Sequence, residues 1–220
     1  MEIKLLCSYS SVFNQYMAEL RDVDIQKDSM RFRNNMRRIG SIMAYEISKT
    51  LEYTDRMTQT SLGEISVPVL KSQPVLATIL RAGLPQHQGM LDIFDKAENA
   101  FISAYRSYEP DGSFIISFEH ISTPSLDGKT VILCDAMLAT GASMVLSYNA
   151  LLKSGTPSHL HIAAIIASKE GVEYVQRRLS NKNITLWVGV VDDELTSKSY
   201  IVPGLGDAGD LAYGSKNKIN

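Results

Sequence analysis

Two kinds of apolar spacing divide this chain. Over residues 11–21 and 28–50 apolar side chains return every three or four positions, the period of an amphipathic helix. Met30, Phe32, Met36, Ile39, Ile42, Met43 and Ile47 carry that period in the second stretch, and Asp28-Ser29 supplies a cap. Residues 64–70 (EISVPVL) alternate like a strand, and Pro68 assigns it to an edge. From Val75 the pattern changes. VLATIL (75–80), NAFISAY (99–105), VILC (131–134), HLHIAAIIA (159–167) and ITLWVGVV (184–191) are short apolar runs that read as buried strands. Helical stretches at 88–96, 143–154 and 171–179 separate most of them, and SFIISFEHI (113–121) reads as the return arm of a hairpin.

Strands alternating with helices predict an α/β fold: a mostly parallel twisted sheet with helices on both faces. Ligands of such sheets collect beyond the carboxyl ends of the strands. The spacing places Arg81, Arg106 and Asp135 each just past such an end.

Composition narrows the function classes. A chain of 220 residues with 45% hydrophobic content fits a single domain with a real core. A net charge of −2 gives no basic field, so no nucleic-acid partner is expected. Arg31, Arg33, Arg37 and Arg38 cluster on the second helix and read as a solvated basic face, with an interface or support for an anionic site as the alternative. Cys7 and Cys134 are far apart and read as free thiols. With no leader-like segment and no apolar run of membrane length, a cytoplasmic location is expected.

The chemistry concentrates in a few segments. In VILCDAMLATGAS (131–143) an apolar strand meets the lone acid Asp135, then a loop of small residues, then a helix start. Unpaired N–H groups at a helix N-terminus attract anions, small side chains let a phosphate approach them, and Thr140 and Ser143 add hydroxyls. No Gly-Lys-Ser/Thr follows, so the cradle suits a monophosphate, and the acid upstream suits sugar hydroxyls or a metal. Arginine is the side chain for forked contacts to phosphate oxygens, and Arg81 and Arg106 at neighbouring strand ends suit a pyrophosphate. The tail YIVPGLGDAGD (200–210) contains the letters of a dinucleotide fingerprint, but too few residues follow to complete a βαβ unit. Pro203, Gly204, Gly206 and Gly209 instead make a shaped loop whose exposed peptide groups can read the edge of a flat heterocycle. Such a reader separates uracil from cytosine, which changes two of three edge groups. His159 and His161 lie on one strand face and read as core or edge residues, and Asp192-Asp193-Glu194 reads as a solvated strand end.

Taken together, ILRAGL (79–84), AYR (104–106), DAMLATGAS (135–143) and YIVPGLGDAGD (200–210) resemble uracil phosphoribosyltransferase, a type I phosphoribosyltransferase. MRFRNNMRRIGSIMAYE (30–46) is similar to that family's first long helix. The resemblance implies one phosphoribosyltransferase domain over 1–220, with an N-terminal helical region (1–50), a mobile flap hairpin (106–118) and a C-terminal base-binding hood (196–214). It implies transfer of a phosphoribosyl group from 5-phospho-α-D-ribose 1-diphosphate (PRPP) to uracil, giving UMP and diphosphate. The donor would be held by Arg81, Arg106, Asp135, Ala136, Met137, Leu138, Ala139, Thr140, Gly141, Ala142, Ser143 and Asp207. Uracil would be held by Ile201, Gly206, Asp207 and Ala208. Asp135, Asp207, Arg81 and Arg106 would be catalytic. The family also implies Mg2+ carried on the donor and a homodimer or higher homo-oligomer. Relatives usually follow Arg-Ala-Gly-Leu with Gly-Met and an acid; here the run is Pro85-Gln86-His87-Gln88, which makes His87 a candidate ligand contact. Other base salvage enzymes, and a nucleotide-sensing or RNA-binding regulator on the same fold, are the competing readings.

Overall fold

The computed structural model describes residues 1–108, 114–179 and 183–216, with 104–108 and 114–119 described through their backbone. The chain begins with β1 (Glu2–Leu5), α1 (Val12–Arg21) and α2 (Ser29–Ser48). Asp28 caps α2 by accepting from the N–H groups of Met30 and Arg31, as its sequence position predicts. An antiparallel arm follows, β2 (Tyr53–Gln59) with β3 (Glu64–Leu70), standing apart from the main sheet. The expected 64–70 strand is therefore present, but its partner β2 is too polar to show in the apolar pattern.

The remainder alternates. β4 (Val75–Leu80) leads to α3 (Leu84–Leu91), β5 (Glu98–Tyr108) and β6 (Phe114–Ser122). Then come β7 (Thr130–Leu138), α4 (Ala142–Leu151), β8 (His159–Ser168), α5 (Lys169–Arg178) and β9 (Ile184–Asp192). The chain closes with the short pair β10 (Glu194–Leu195) and β11 (Ile201–Val202), then α6 (Ala208–Tyr213). Seven strands form one sheet in the order β1-β9-β8-β7-β4-β5-β6, parallel except where β6 returns against β5. The mostly parallel α/β sheet and the hairpin return arm are both borne out. The tip of the expected flap, 109–113, lies outside the described residues.

Two apolar layers sandwich the sheet, and the strand alternation sorts residues between them. Ile132, Cys134 and Ala136 of β7 join Phe13, Met17, Phe32, Met36 and Met43 from α1 and α2. Val131, Leu133 and Leu138 join Met144, Val145 and Leu151 of α4 and Val175 of α5 on the opposite face.

Two expectations need correcting here. The helix expected at 88–96 is α3, which starts at Leu84. Pro85 sits in its first turn, where a missing N–H costs nothing, so a residue that reads as a loop signal belongs to the helix. The strand expected to stop at Cys134 runs on to Leu138, because β8 keeps pairing with it: Asp135 lies opposite Ala164 and Leu138 opposite Ala167. Its pairing with β4 does end at Cys134, so Asp135 is the first residue free on that side.

α2 and α3 cross without intervening side chains. A methyl group at Gly89 would lie 1.8 Å from the Arg37 carbonyl oxygen, and one at Gly40 would lie 2.1 Å from that of Gln86. This contact turns Gln86 and His87 inward, where both are buried. Gln86 donates to the Ala163 carbonyl of β8 at 3.3 Å, and His87 packs 5.2 Å from the ring of Phe101, centre to centre. Burial pushes the His87 imidazole below its ordinary pKa. His87 is thus part of the core and not the ligand contact that its sequence position suggested.

The arginines of α2 do lie on a largely exposed face, as expected, and each is also tied to a neighbour. Arg31 grips Glu19 through two bonds of 2.9 and 2.8 Å, and Arg37 grips Asp92 through two of 2.6 and 2.8 Å. Arg38 donates to Asn35 and lies over Tyr16. Arg33 donates to the Ala212 carbonyl at 2.6 Å and lies over Tyr213.

Candidate active site

The carboxyl edge of the sheet gathers the predicted segments. The loop expected to cradle a phosphate follows β7 directly. Gly141, just ahead of α4, adopts a left-handed backbone with φ +78°, and a methyl there would lie 2.9 Å from the Gly171 carbonyl oxygen. Thr140 offers its hydroxyl to the Ala142 N–H at 3.4 Å. Residues 137–141, with Ser143 and Met144, line a small pocket at the start of the helix. The loop is fastened from outside. Gly171 at the start of α5 sits so close that a methyl would meet the Ala139 and Leu138 carbonyl oxygens at 2.2 and 2.5 Å.

Asp135 lies four residues upstream of that loop. The residue keeps part of its surface, but its carboxyl is enclosed by protein. Burial pushes its pKa up to about 7, against the N–H groups of Ala136 and Met137 and the charge of Lys216, which favour ionisation. Lys216 was not anticipated from the sequence, because nothing in the tail's composition shows that it returns to β7.

The turn after β4 is pressed onto β7. A methyl at Gly83 would lie 2.4 Å from the Thr78 hydroxyl and 3.1 Å from the Cys134 carbonyl oxygen. Arg81, two residues earlier, reaches toward α6. Its Nη2 donates to Asp210 at 2.9 Å and to the Gly214 carbonyl at 3.2 Å. Its Nε is buried with no partner among the described residues. A buried unpartnered donor is costly, and the side chain that carries it keeps about a third of its surface, so an anionic ligand can meet this arginine.

The tail, expected as a hood, supplies β11 and α6. Asp207 caps α6 by accepting the Asp210 N–H at 3.0 Å. Ile201 and Ala208 are buried, while Gly206 is exposed with φ +89°. A methyl at Gly209 would lie 3.3 Å from Asp207 Oδ1 and 3.7 Å from Arg81 Nη2, so the tail and the turn after β4 touch. The structure thus brings Arg81, Asp135, the 135–143 loop and the 201–208 segment to one edge. Arg106 is on β5 opposite Ile116, inside the strand rather than past its end, because the β5–β6 hairpin extends the pairing. Its side chain lies outside the described residues.

Asp192 is a further correction. It is only 7% exposed, and not a solvated strand end. It accepts two bonds from Arg21 and one from the Gly204 N–H. The charge run that hid it belongs to Asp193, which faces solvent and pairs with Lys169. His161 is buried and accepts from Trp187 at 3.1 Å, in keeping with a core role.

Comparison with known proteins adds the following. A family model described as uracil phosphoribosyltransferase matches residues 8–215. A uracil phosphoribosyltransferase from Porphyromonas gingivalis is 51% identical over 216 residues, covering 98% of this chain and all of the relative. One from Methanothermobacter thermautotrophicus is 39% identical over 189 residues, covering 85% of each chain. The solved structure of AQ2163 protein from Aquifex aeolicus superposes with a TM-score of 0.84 at 27% identity, over 97% of this chain and 99% of that one.

Proposed function

Because the chain belongs to the uracil phosphoribosyltransferase family, we propose a division of labour among its residues for that family's reaction. The enzyme is a pentosyltransferase that converts uracil and PRPP to UMP and diphosphate, a pyrimidine salvage reaction. The observation that carries the residue assignment is Arg81: one side chain has a buried unpartnered Nε and is tied through Nη2 to the helix of the base loop.

Breaking the bond at the anomeric carbon puts positive charge on the ribose ring and negative charge on the departing diphosphate. Catalysis of such a step is mainly positioning and electrostatics. Arg81, together with Arg106, is assigned to the diphosphate. The 137–143 loop is assigned to the 5-phosphate, whose binding energy is remote from the bond that breaks. Asp135 is assigned to the ribose hydroxyls and the developing ring cation. Uracil is assigned to the peptide groups of Ile201, Gly206 and Ala208. Asp207, oriented by its bond to the Asp210 N–H, is assigned to receive the N1 proton.

Magnesium fits these residues as a companion of the donor. Among the described residues no three His, Cys, Asp or Glu side chains collect into a cage, whereas Asp135 offers one desolvated carboxylate. Mg2+ is commonly held by one or two carboxylates, water and substrate phosphates. When bound it would supply positive charge to the leaving diphosphate.

Self-association is assigned to the β2–β3 arm. It projects Met57 and Ile65, 64% and 55% exposed, from a strand pair outside the main sheet, and Leu62, 98% exposed, from the turn that joins the two strands. Sedimentation at micromolar protein should show a dimer or larger species, and Leu62→Asp with Ile65→Asp should shift it toward monomer. An unshifted distribution would place the contact elsewhere.

The assay of the reaction is direct. Labelled uracil, PRPP and magnesium should yield UMP. Cytosine leaves two peptide groups unmatched at roughly 1–3 kcal/mol each, so its kcat/KM should be about 10²-fold lower or worse. Efficient use of hypoxanthine with no use of uracil would overturn the base assignment.

A further inference from the structure

Two loops that must stay a fixed distance apart are anchored on one rung of the sheet. Ser168 ends β8, Asp192 ends β9, and the parallel register pairs them. Both are buried. The Ser168 hydroxyl donates to the Ala139 carbonyl at 2.6 Å and accepts the Gly171 N–H at 2.8 Å, which fastens the phosphate loop to the first turn of α5. Asp192 accepts from Arg21 at 2.9 and 2.8 Å and from the Gly204 N–H at 2.8 Å. Arg21 Nη1 also donates to the Gly204 carbonyl at 3.1 Å. One ion pair therefore holds both peptide groups of a single residue in the base loop. That residue has little freedom of its own: its φ is +62°, and a methyl on it would lie 2.0 Å from the Ile201 carbonyl oxygen. Burial alone would raise the Asp192 carboxyl, but the Arg21 guanidinium and the Gly204 N–H outweigh it and hold the group below the usual carboxylate range.

We propose that Ser168 and the Arg21–Asp192 pair are positioning residues that set the distance between the 5-phosphate cradle and the uracil loop. The proposal rests on the reading of those two loops as donor and base sites. Neighbouring strands are held about 4.8 Å apart by their ladder, so anchors on one rung cannot drift relative to each other. A nucleotide must touch both loops at once, and reaction needs the sugar carbon and the base nitrogen in near-attack contact. These side chains act through Ala139 and Gly204, and each anchor serves its own end of the ligand.

Steady-state kinetics in both substrates test this. Arg21→Lys and Asp192→Asn should each raise KM for uracil about tenfold while KM for PRPP stays within about twofold. Ser168→Ala should do the reverse, and Ser168→Thr, which keeps the hydroxyl, should restore KM for PRPP. UMP spans both anchors, so its inhibition constant should rise about 100-fold in Asp192→Asn with Ser168→Ala, near the product of the single effects. Arg21→Lys keeps the charge, so it gives a folded variant even if Asp192→Asn does not. The rung is overturned if both KM values rise together in every variant, or if neither moves in variants with an unaltered circular dichroism spectrum. A wild-type enzyme that makes no UMP overturns the reading of the site instead.

Discussion

Arg81→Ala is expected to lower kcat/KM for PRPP by about 10²–10³-fold, the usual loss when a single preorganised donor to a developing anion is removed. Two losses coincide in this substitution. The guanidinium assigned to the departing diphosphate goes, and so does the ion pair that joins the β4 turn to Asp210. KM for uracil should therefore rise as well, although Arg81 is assigned to the other substrate. Arg81→Lys separates the two roles: it keeps a charge but not the fork, and should recover only part of the donor term. Initial rates with each substrate varied in turn are the measurement. Near-normal kcat/KM for PRPP in Arg81→Ala would remove this residue from the donor site.

Asp135→Asn is expected to lose turnover by about 10²-fold and to gain stability. The folded enzyme keeps a proton on this carboxyl up to about pH 7, whereas an ordinary aspartate with a pKa of 3.8 releases it much earlier. Between those values the folded state binds more protons than the unfolded chain, so stability falls as pH rises through that window and is level above it. Asparagine removes the dependence. Each pH unit of the window is worth about 1.4 kcal/mol at most, so the variant should be more stable at pH 8 by about 1–4 kcal/mol, with the margin gone below about pH 4. Thermal unfolding at pH 4, 6 and 8 reads this directly. Equal melting temperatures at pH 8 would mean that the carboxyl is not held out of water, and unchanged turnover would mean that it does not serve the sugar.

Much of this was legible in the residues, for identifiable reasons. Buried parallel strands must be apolar on both faces, so β4, β7, β8 and β9 stand out as runs. The loop at 135–143 stands out because close approach to backbone needs small side chains. What was not legible depends on partners distant in sequence. β2 is polar because its arm faces solvent. Asp192 looks like any acid in an acidic run until Arg21 is placed beside it, and His87 looks like a ligand until α2 is laid across α3. Lys216 and Ser168 carry no local signal of the loops they serve, although Ser168 ahead of a helical stretch has the composition of a cap.

The long ties to the hood have a consequence for how the enzyme matures. Gly204, Asp210, Ala212 and Gly214 are gripped by Arg21, Arg33 and Arg81, residues made more than a hundred positions earlier. During synthesis those arginines emerge long before their partners exist. The nucleobase pocket is thus proposed to be closed by a segment that follows every strand of the main sheet, so a chain cut ahead of it can keep all seven strands and still be blind to its substrate.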